Sequence, residues 1–170
     1  MAVMSARRRL DDLDCVVANG LEIFGDRWSL LILRDAFLGV RRFDEFRRDL
    51  GVARNVLTDR LERLTAARVL ERRPYQEHPP RDEYVLTDKG RDLLDVLLAL
   101  WRWGDRWEPV AEPRRLVHRT CGEETYAITT CAHCGERLTR RNLDVEPLPP
   151  VVTERRATHA GVATGTARDG

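Results

Sequence analysis

The sequence predicts a mainly α-helical protein with one small β-hairpin. Between residues 15 and 67, apolar side chains recur at helical spacing in four short segments, which glycines at positions 25, 39 and 51 separate. Two short runs typical of strands, 70–73 and 83–86, follow with turn residues between them. A more apolar helical pattern then extends from residue 88 to about residue 107.

The short helices are predicted at about 15–24, 27–38, 43–50 and 53–67. Asp26 precedes the second helix and is suited to cap it, because a carboxylate accepts hydrogen bonds from backbone amides. The first helix is predicted to bury Val16, Val17, Leu21 and Phe24. The fourth helix has an inward face formed by Leu57, Leu61 and Leu64. Its other face therefore carries Asn55, Thr58, Asp59 and Glu62.

Two helices, a turn and a two-stranded wing together place one helix in the major groove of DNA. Side chains near the start of that helix meet base edges, where Arg pairs with guanine, Asn with adenine and Asp with cytosine. The predicted groove contacts are Arg54, Asn55, Thr58 and Asp59. Asp59 has a second interpretation, as an i,i+4 partner of Arg63. Arg60 is assigned to a phosphate or to an internal acid.

The predicted wing is basic. Arg72, Arg73, His78 and Arg81 surround its loop, which predicts minor-groove or phosphate contact, with a solvated loop tip as the alternative. Residues 41–81 include eleven Arg and seven acidic residues, whereas the whole chain has a net charge of only +1. This local charge favours a polyanionic partner, although an arginine-rich composition is also typical of GC-rich genomes.

The length of 170 residues allows one domain of ordinary size and a small appendage. The predicted boundaries are a flexible arm at 1–12, a DNA-binding and dimerisation domain at 13–112, a Cys/His ribbon at 113–147 and a disordered tail at 148–170. No apolar run is long enough to span a bilayer, and the N-terminus lacks the apolar core of a signal peptide. We therefore expect a cytoplasmic protein that does not associate with membranes.

The helix predicted at 88–107 is apolar around most of its circumference. A chain of this size has little material to cover such a surface, so a second copy is expected to cover part of it. A helix buried in the core of one chain is the alternative.

This set of motifs resembles the HxlR-type family of bacterial winged helix-turn-helix transcription regulators. The resemblance covers roughly residues 13–110 and rests on Cys15, Gly25-Asp26-Arg27-Trp28, Leu30 to Arg34, Gly39, Arg42-Phe43, Asn55, Leu57, Arg60-Leu61, Leu64, Leu70 to Arg73, Pro79 to Arg81, Glu83-Tyr84, Leu86-Thr87 and Lys89-Gly90. It implies a homodimer that binds double-stranded operator DNA and represses or activates nearby genes. Of these two roles we predict repression, which the sequence alone does not decide. Arg54 and Asp59 depart from the small or neutral polar residues that the family more often has there, which bears on the operator sequence.

A second motif lies after this domain. His118-Arg-Thr-Cys121-Gly and Cys131-Ala-His-Cys134-Gly each space two metal-binding side chains by two residues, with a glycine directly after. Four ligands, His118, Cys121, Cys131 and Cys134, would form a closed tetrahedral zinc site of a structural kind. Metal binding would supply the folding energy of a segment with so little core. His133 is an alternative ligand, and an accidental Cys-x-x-Cys or a redox-active dithiol is the alternative to metal.

Cys15 lies where some members of the resembling family have a redox-sensing thiol. A helix N-terminus lowers a thiol pKa, whereas Asp11, Asp12 and Asp14 act in the opposite direction. The alternative is a small buried residue. The sequence leaves open a redox or small-molecule effector, and it predicts no organic cofactor.

Two other functions compete with transcription regulation. A winged helix also serves as a protein-interaction module, with the ribbon docking a partner, but that use does not require the arginines of the fourth helix and wing. A zinc hydrolase fails because a closed site of three Cys and one His has no position for water, and no general base is found beside it. We therefore predict a regulator that is not an enzyme.

Overall fold

The computed structural model describes residues 15–78, 81–112 and 114–146. The chain divides into two compact units, Met1–Ala127 and Ile128–Gly170. The first unit extends past the predicted border at residue 112 and includes a second hairpin. The predicted arm at 1–12 and tail at 148–170 lie outside the described residues.

The first unit begins with four short helices, as predicted. They are α1 (Val16–Phe24), α2 (Arg27–Phe37), α3 (Phe43–Leu50) and α4 (Arg54–Ala66). Asp26 caps α2, because its Oδ1 accepts hydrogen bonds from the amides of Trp28 at 3.0 Å and Ser29 at 3.1 Å. Gly51 makes the turn between α3 and α4 with a φ of 60°, a left-handed conformation that suits glycine. The local sequence signals therefore determine where α2 and α4 begin.

The core lies where α2, α3 and α4 meet the hairpin. Its buried members are Ile32, Leu33, Phe46, Val52, Leu57, Leu61, Leu64, Val69, Leu70 and Tyr84. The predicted inward face of α4 is confirmed, since Leu57, Leu61 and Leu64 are fully buried. This packing fixes the direction of α4 and leaves its opposite face available.

The hairpin that follows is longer than predicted. Strands β1 (Leu70–Gln76) and β2 (Arg81–Leu86) pair antiparallel, with Leu70 opposite Leu86 and Arg73 opposite Glu83. The loop was expected to begin at Pro74, but β1 continues through Pro74 with a register shift before Gln76. An irregular edge tolerates proline because the missing backbone donor is not needed there.

The prediction of a single helix at 88–107 is wrong, because the chain forms two helices there, α5 (Asp88–Arg91) and α6 (Leu94–Trp107). Thr87 caps the start of α5, accepting a hydrogen bond from the Gly90 amide at 3.1 Å. Gly90 packs so tightly against the residue before β1 that a Cβ at position 90 would lie 2.2 Å from the carbonyl oxygen of Val69. The Leu93 amide then bonds to the Gly90 carbonyl at 3.1 Å, only three residues back. This tighter turn interrupts the helix.

Two apolar helix faces of the first unit are exposed. The prediction that α1 buries Val16, Val17 and Leu21 is wrong, since these side chains are 69%, 64% and 44% exposed. The fourth predicted residue, Phe24, is partly buried against the core, and Ala18 is the fully buried residue of α1. In α6, none of the residues is fully buried, and Leu100, Trp103 and Trp107 are among the exposed ones. The alternative of a helix buried in the core of one chain is therefore wrong for α6.

After α6 the first unit ends in a small hairpin of β3 (Leu116–Val117) and β4 (Glu124–Thr125). In the second unit, an isolated antiparallel bridge joins Thr130 and Arg137. No helix in the described part of the chain is long and apolar enough to cross a membrane.

Candidate nucleic-acid interface

The first two turns of α4 present the side chains predicted to read bases. Arg54, Asn55 and Asp59 are exposed and Thr58 is half-buried. The guanidinium carbon of Arg54 lies 5.4 Å from the centre of the Phe43 ring, at the start of α3. This stacking holds the arginine beside the turn between the two helices, with its donors available.

Arg60 points into the domain. Its Nε donates to Asp26 Oδ1 at 2.9 Å, and its side chain is only 23% exposed. Of the two roles predicted for Arg60, the structure therefore supports pairing with an internal acid. Asp59 forms its ion pair with Arg60 and does not use Arg63 as the i,i+4 partner that was considered for it.

The carboxylate of Asp26 connects α2 and α4. Burial raises the pKa of Asp26, but hydrogen bonds from Ser29 and the nearby charge of Arg60 outweigh burial and lower the pKa below its ordinary value. Ser29 is itself buried, and its hydroxyl donates to Asp26. One side chain thus caps one helix and orients the other, which fixes the angle at which α4 is presented.

The predicted wing residues are exposed along the hairpin. Arg72 lies 5.6 Å from the centre of the Tyr84 ring, with its Nη2 3.9 Å from Glu62. Arg73 pairs with Glu71, its Nε donating to Oε1 at 2.7 Å. The backbone carbonyl of His78 accepts from Gln76 at 2.9 Å, and Arg81 begins β2 opposite Gln76. Arg72 and Arg73 each have an acidic neighbour, whereas Arg81 forms no ion pair with a carboxylate of the described residues.

The structure adds Arg42 and Tyr75 to the candidate interface. Arg42 forms an antiparallel bridge with Glu83, and the Tyr84 amide donates to the carbonyl of the preceding residue, Arg41, at 2.8 Å. The Arg42 guanidinium stacks on Tyr75 of the wing, 4.6 Å from the ring centre. Sequence reasoning missed this pair because the bridge joins segments distant in the chain. The local signal was Glu45, whose carboxylate accepts from the Arg42 amide at 3.1 Å and places Arg42 directly before α3.

A model of the HxlR-like helix-turn-helix family matches residues 23–112, which is more than half of the chain. The chain belongs to the HxlR-like family. The match contains α2, α3, α4, the wing and α6, so the elements that form the candidate interface are those of the family. The protein is a DNA-binding transcription regulator with a winged helix-turn-helix fold.

Relatives of this HxlR-like protein support the same assignment. An uncharacterized HTH-type transcriptional regulator of Mycobacterium tuberculosis is 47% identical over 135 residues, which cover 78% of this chain and 85% of the relative. The solved structure of PA1607, assigned as a transcription factor, has a TM-score of 0.73 at 38% identity and covers 80% of this chain and 96% of its own. The redox regulator HypR in its reduced form has a TM-score of 0.51 at 32% identity, covering 54% of this chain and 92% of HypR.

The Cys/His motifs lie outside the segment that the HxlR-like model matches. The first occupies the loop between β3 and β4. There, the His118 amide donates to the Glu123 carbonyl at 3.0 Å and the Gly122 amide to the His118 carbonyl at 2.8 Å. His118 Nδ1 and Cys121 Sγ lie 3.3 Å apart. Gly122 has a φ of 77°, so the residue after the second candidate ligand is left-handed.

The second motif, in the other unit, repeats this internal geometry. The Cys131 amide donates to the Glu136 carbonyl at 2.8 Å and the Gly135 amide to the Cys131 carbonyl at 2.9 Å. Gly135 has a φ of 72°. Hydrogen bonds from the backbone amides of Cys134 and His133, and from the Cys134 thiol, lower the pKa of Cys131. Within the described residues, no three His, Cys, Asp or Glu side chains form a group placed to hold a metal ion. The metal site therefore stays a prediction.

Cys15 is exposed and directly precedes α1. The alternative of a small buried residue is therefore wrong for this HxlR-like protein. Its side chain makes no capping hydrogen bond to the helix. The redox role stays a prediction, and the three aspartates expected to oppose it lie outside the described residues.

Proposed function

We propose that the protein represses transcription by binding a near-palindromic operator as a homodimer, with α4 in the major groove and the wing on the adjacent backbone. The observation that carries this proposal is the exposed first turn of α4. Arg54 and Asn55 project there beside a turn that Gly51 makes, while three leucines anchor the opposite face. A helix fixed in this way can present a few side chains to base edges.

The contacts divide into two kinds. Arg54, Asn55, Thr58 and Asp59 read bases, whereas Arg42, Arg72, Arg73, His78 and Arg81 contact phosphate or the minor groove. Arg60 is omitted from both sets because Asp26 holds its guanidinium inside the domain. Asp59 accepts from a cytosine amino group only if its pair with Arg60 leaves one carboxylate oxygen available.

The homodimer is supported by the exposed apolar side chains of α1 and α6. On α6, Val96, Leu100, Trp103 and Trp107 are between 42% and 59% exposed and recur at helical spacing. Such a stripe is costly in water and is suited to a second copy of the same surface. Two reading helices would then lie about 34 Å apart, one turn of DNA, which predicts two half-sites.

A fluorescence anisotropy titration tests operator binding. The full chain is titrated against the intergenic DNA upstream of its own gene and against a scrambled duplex, at two salt concentrations. We expect tighter binding to the native duplex that persists at the higher salt, because base contacts depend less on counterion release than phosphate contacts do. Equal and salt-sensitive binding to both duplexes would contradict a specific operator at that position.

Three variants separate base reading from charge. Arg54→Ala is expected to weaken specific binding by about 1–3 kcal/mol and to relax the preference for the native duplex. Arg81→Ala is expected to weaken binding to both duplexes and to reduce the salt slope by about 1. Arg140→Ala removes the same charge from the second unit, outside the family segment, and serves as the matched control. If all three variants bind alike, the assignment of α4 is wrong.

Sedimentation equilibrium tests the homodimer. Leu100→Lys and Trp103→Lys each place a charge on the exposed apolar stripe of α6 and are expected to give monomers with weak operator binding. Asp95→Lys introduces lysine elsewhere on the same helix and should leave the dimer intact. A wild-type chain that sediments as a monomer at the concentrations of the DNA titration would exclude the dimer.

We also propose that His118, Cys121, Cys131 and Cys134 bind a structural zinc ion. The support is the repeated internal geometry of the two motifs, each with the same pair of backbone hydrogen bonds and a left-handed glycine after the second ligand. Amide donors around the Cys131 sulfur favour its thiolate, the form that binds metal. Three thiolates and one imidazole suit zinc and leave no open position for catalysis.

Metal analysis of the full chain, purified without chelator, tests this site. We expect about one zinc ion per chain and a thiolate-to-metal absorption band after cobalt replacement. Cys121→Ser and Cys131→Ser should each lower the zinc content, whereas Cys15→Ser should not. His133→Asn tests the alternative ligand, because it lowers the zinc content only if His133 binds the metal. Wild-type protein that takes up neither metal would support the alternative of a dithiol without metal.

A further inference from the structure

A cavity of about 740 Å³ lies between α6 and the β3–β4 hairpin of the first unit. One wall is Trp101, Arg102 and Arg106 of α6, and the other is Arg114, Arg115 and Tyr126. The volume is within the range of small-molecule sites in proteins. This cavity is separate from α4 and the wing, so DNA binding does not explain it.

The lining of the cavity has a net positive charge. It contains four arginines and two acidic side chains, Asp105 and Glu124. Among residues 15–78, 81–112 and 114–146, none of the four arginines forms an ion pair with a carboxylate. Guanidinium groups bind carboxylates and phosphates through paired hydrogen bonds, so this excess favours an anionic occupant.

The cavity also has a flat aromatic side. Arg102 lies over the Tyr126 ring at 4.8 Å, and its Nη1 donates to the Ala127 carbonyl at 2.8 Å. The first contact places the Arg102 guanidinium over the Tyr126 ring and the second holds it there, while Trp101, which is half-buried, lines the same cavity. Planar rings stack on such surfaces.

We propose that this cavity binds a small organic anion composed of a planar ring and a carboxylate or phosphate group. The ring lies against Tyr126 and Trp101, and the anionic group is held by Arg106 and Arg115. The two anionic groups share the same recognition by guanidinium, and separate probes distinguish them.

The position of the cavity on α6 connects it with the proposed dimer surface. Trp101, Arg102, Asp105 and Arg106 line the cavity, whereas the exposed apolar stripe of α6 consists of Val96, Leu100, Trp103 and Trp107. Helical spacing places these two sets on different sides of the helix. A bound anion would therefore contact the helix that supports the dimer, and through the dimer it would change the affinity for the operator. This change in affinity rests on the proposed function, whereas the binding site itself does not.

Isothermal titration calorimetry of the full chain tests the site with three probes. 2-Naphthoate represents the carboxylate, adenosine monophosphate represents the phosphate, and 2-naphthalenemethanol is the neutral control. We expect one of the two anions to bind with a stoichiometry of about one per chain, and the alcohol to bind at least about tenfold more weakly because it lacks a charged hydrogen-bonding group. Binding of neither anion, or equal binding of the alcohol, would overturn the proposal.

Matched arginine variants locate the binding. Arg106→Gln and Arg115→Gln should each weaken the anion by about tenfold. Arg47→Gln removes an exposed arginine from α3, away from the cavity, and should change nothing. Equal weakening in all three variants would mean nonspecific attraction and would overturn the site. Operator anisotropy with and without the anion then tests the effect on DNA separately, since unchanged affinity would overturn only that effect.

Discussion

The connection of α2 to α4 through Asp26 leads to a quantitative prediction. Asp26→Ala removes the cap of α2, which contributes about 1 kcal/mol in comparable helices. It also leaves Arg60 without the carboxylate that its Nε contacts at 2.9 Å. Hydrogen bonds to charged groups contribute about 1.5–3 kcal/mol, and we take about 1 kcal/mol here because the two side chains remain 23% and 31% exposed.

The expected loss is therefore about 2 kcal/mol of the free energy of unfolding. With a urea slope of about 2 kcal/mol/M, the unfolding midpoint should fall by about 1 M, measured by far-ultraviolet circular dichroism. Asp49→Ala, which removes an exposed aspartate paired with Arg48, is the control and should change the free energy by less than about 0.5 kcal/mol. A double-mutant cycle with Arg60→Ala should give a coupling of about 1 kcal/mol. Equal midpoints for Asp26→Ala and the control would refute this reasoning.

The pH dependence of stability gives a second test of the same contact. The pKa of Asp26 is lowered in the folded protein, so its contribution is fully present above the ordinary pKa of 3.8 and is lost as pH falls through the folded value. Asn caps a helix about as well as Asp but has no charge. The stability difference between the wild type and Asp26→Asn should therefore be constant near neutral pH and shrink below about pH 4. A difference that does not depend on pH would show that charge plays no part.

Three further predictions concern the core, the turn and the exposed thiol. Leu61→Ala should lower the free energy of unfolding in urea by about 2–5 kcal/mol, because Leu61 is fully buried. The control, Glu62→Ala, changes the exposed residue next to it and should lower that free energy little. Gly51→Ala should cost about 1–2 kcal/mol from its left-handed backbone alone, because no atom lies within 4 Å of the added Cβ, and a neutral result would contradict the turn geometry. If Cys15 senses oxidants, a thiol oxidant should change operator affinity in the wild type and leave Cys15→Ser unaffected; equal responses would remove Cys15 from that role.

Sequence reasoning predicted the parts of the fold that have local causes. The cap at Asp26, the turn at Gly51 and the leucine face of α4 are each encoded within a few residues, and all three are present in the structure. The exposed face of α1 was mispredicted because periodicity shows that a helix has an apolar side without showing what covers it. The break between α5 and α6 lies beside Gly90, whose close approach to Val69 is a tertiary contact that the helical pattern does not contain.

The candidate interface follows the same division. Arg54 and Asn55 were identifiable because the start of α4 was identifiable. The pairing of Arg42 with Glu83 and its stacking on Tyr75 depend on the distance between the loop before α3 and the wing, which spacing along the chain does not give. The sequence left Arg60 to a phosphate or to an internal acid. The packing of α2 against α4 identifies that acid as Asp26.

The bridge between the loop before α3 and β2 has a consequence for how the sequence can vary. Because the Tyr84 amide bonds to Arg41 and Glu83 pairs with Arg42, the length of the connection from Gly39 to Phe43 is set by the wing as well as by the two helices it joins. An inserted residue there would displace α3 and the hairpin together, so related proteins should keep that connection at constant length. They should accommodate length changes at the tip of the hairpin, where natural variation in the reach of the wing can accumulate without altering the start of α4.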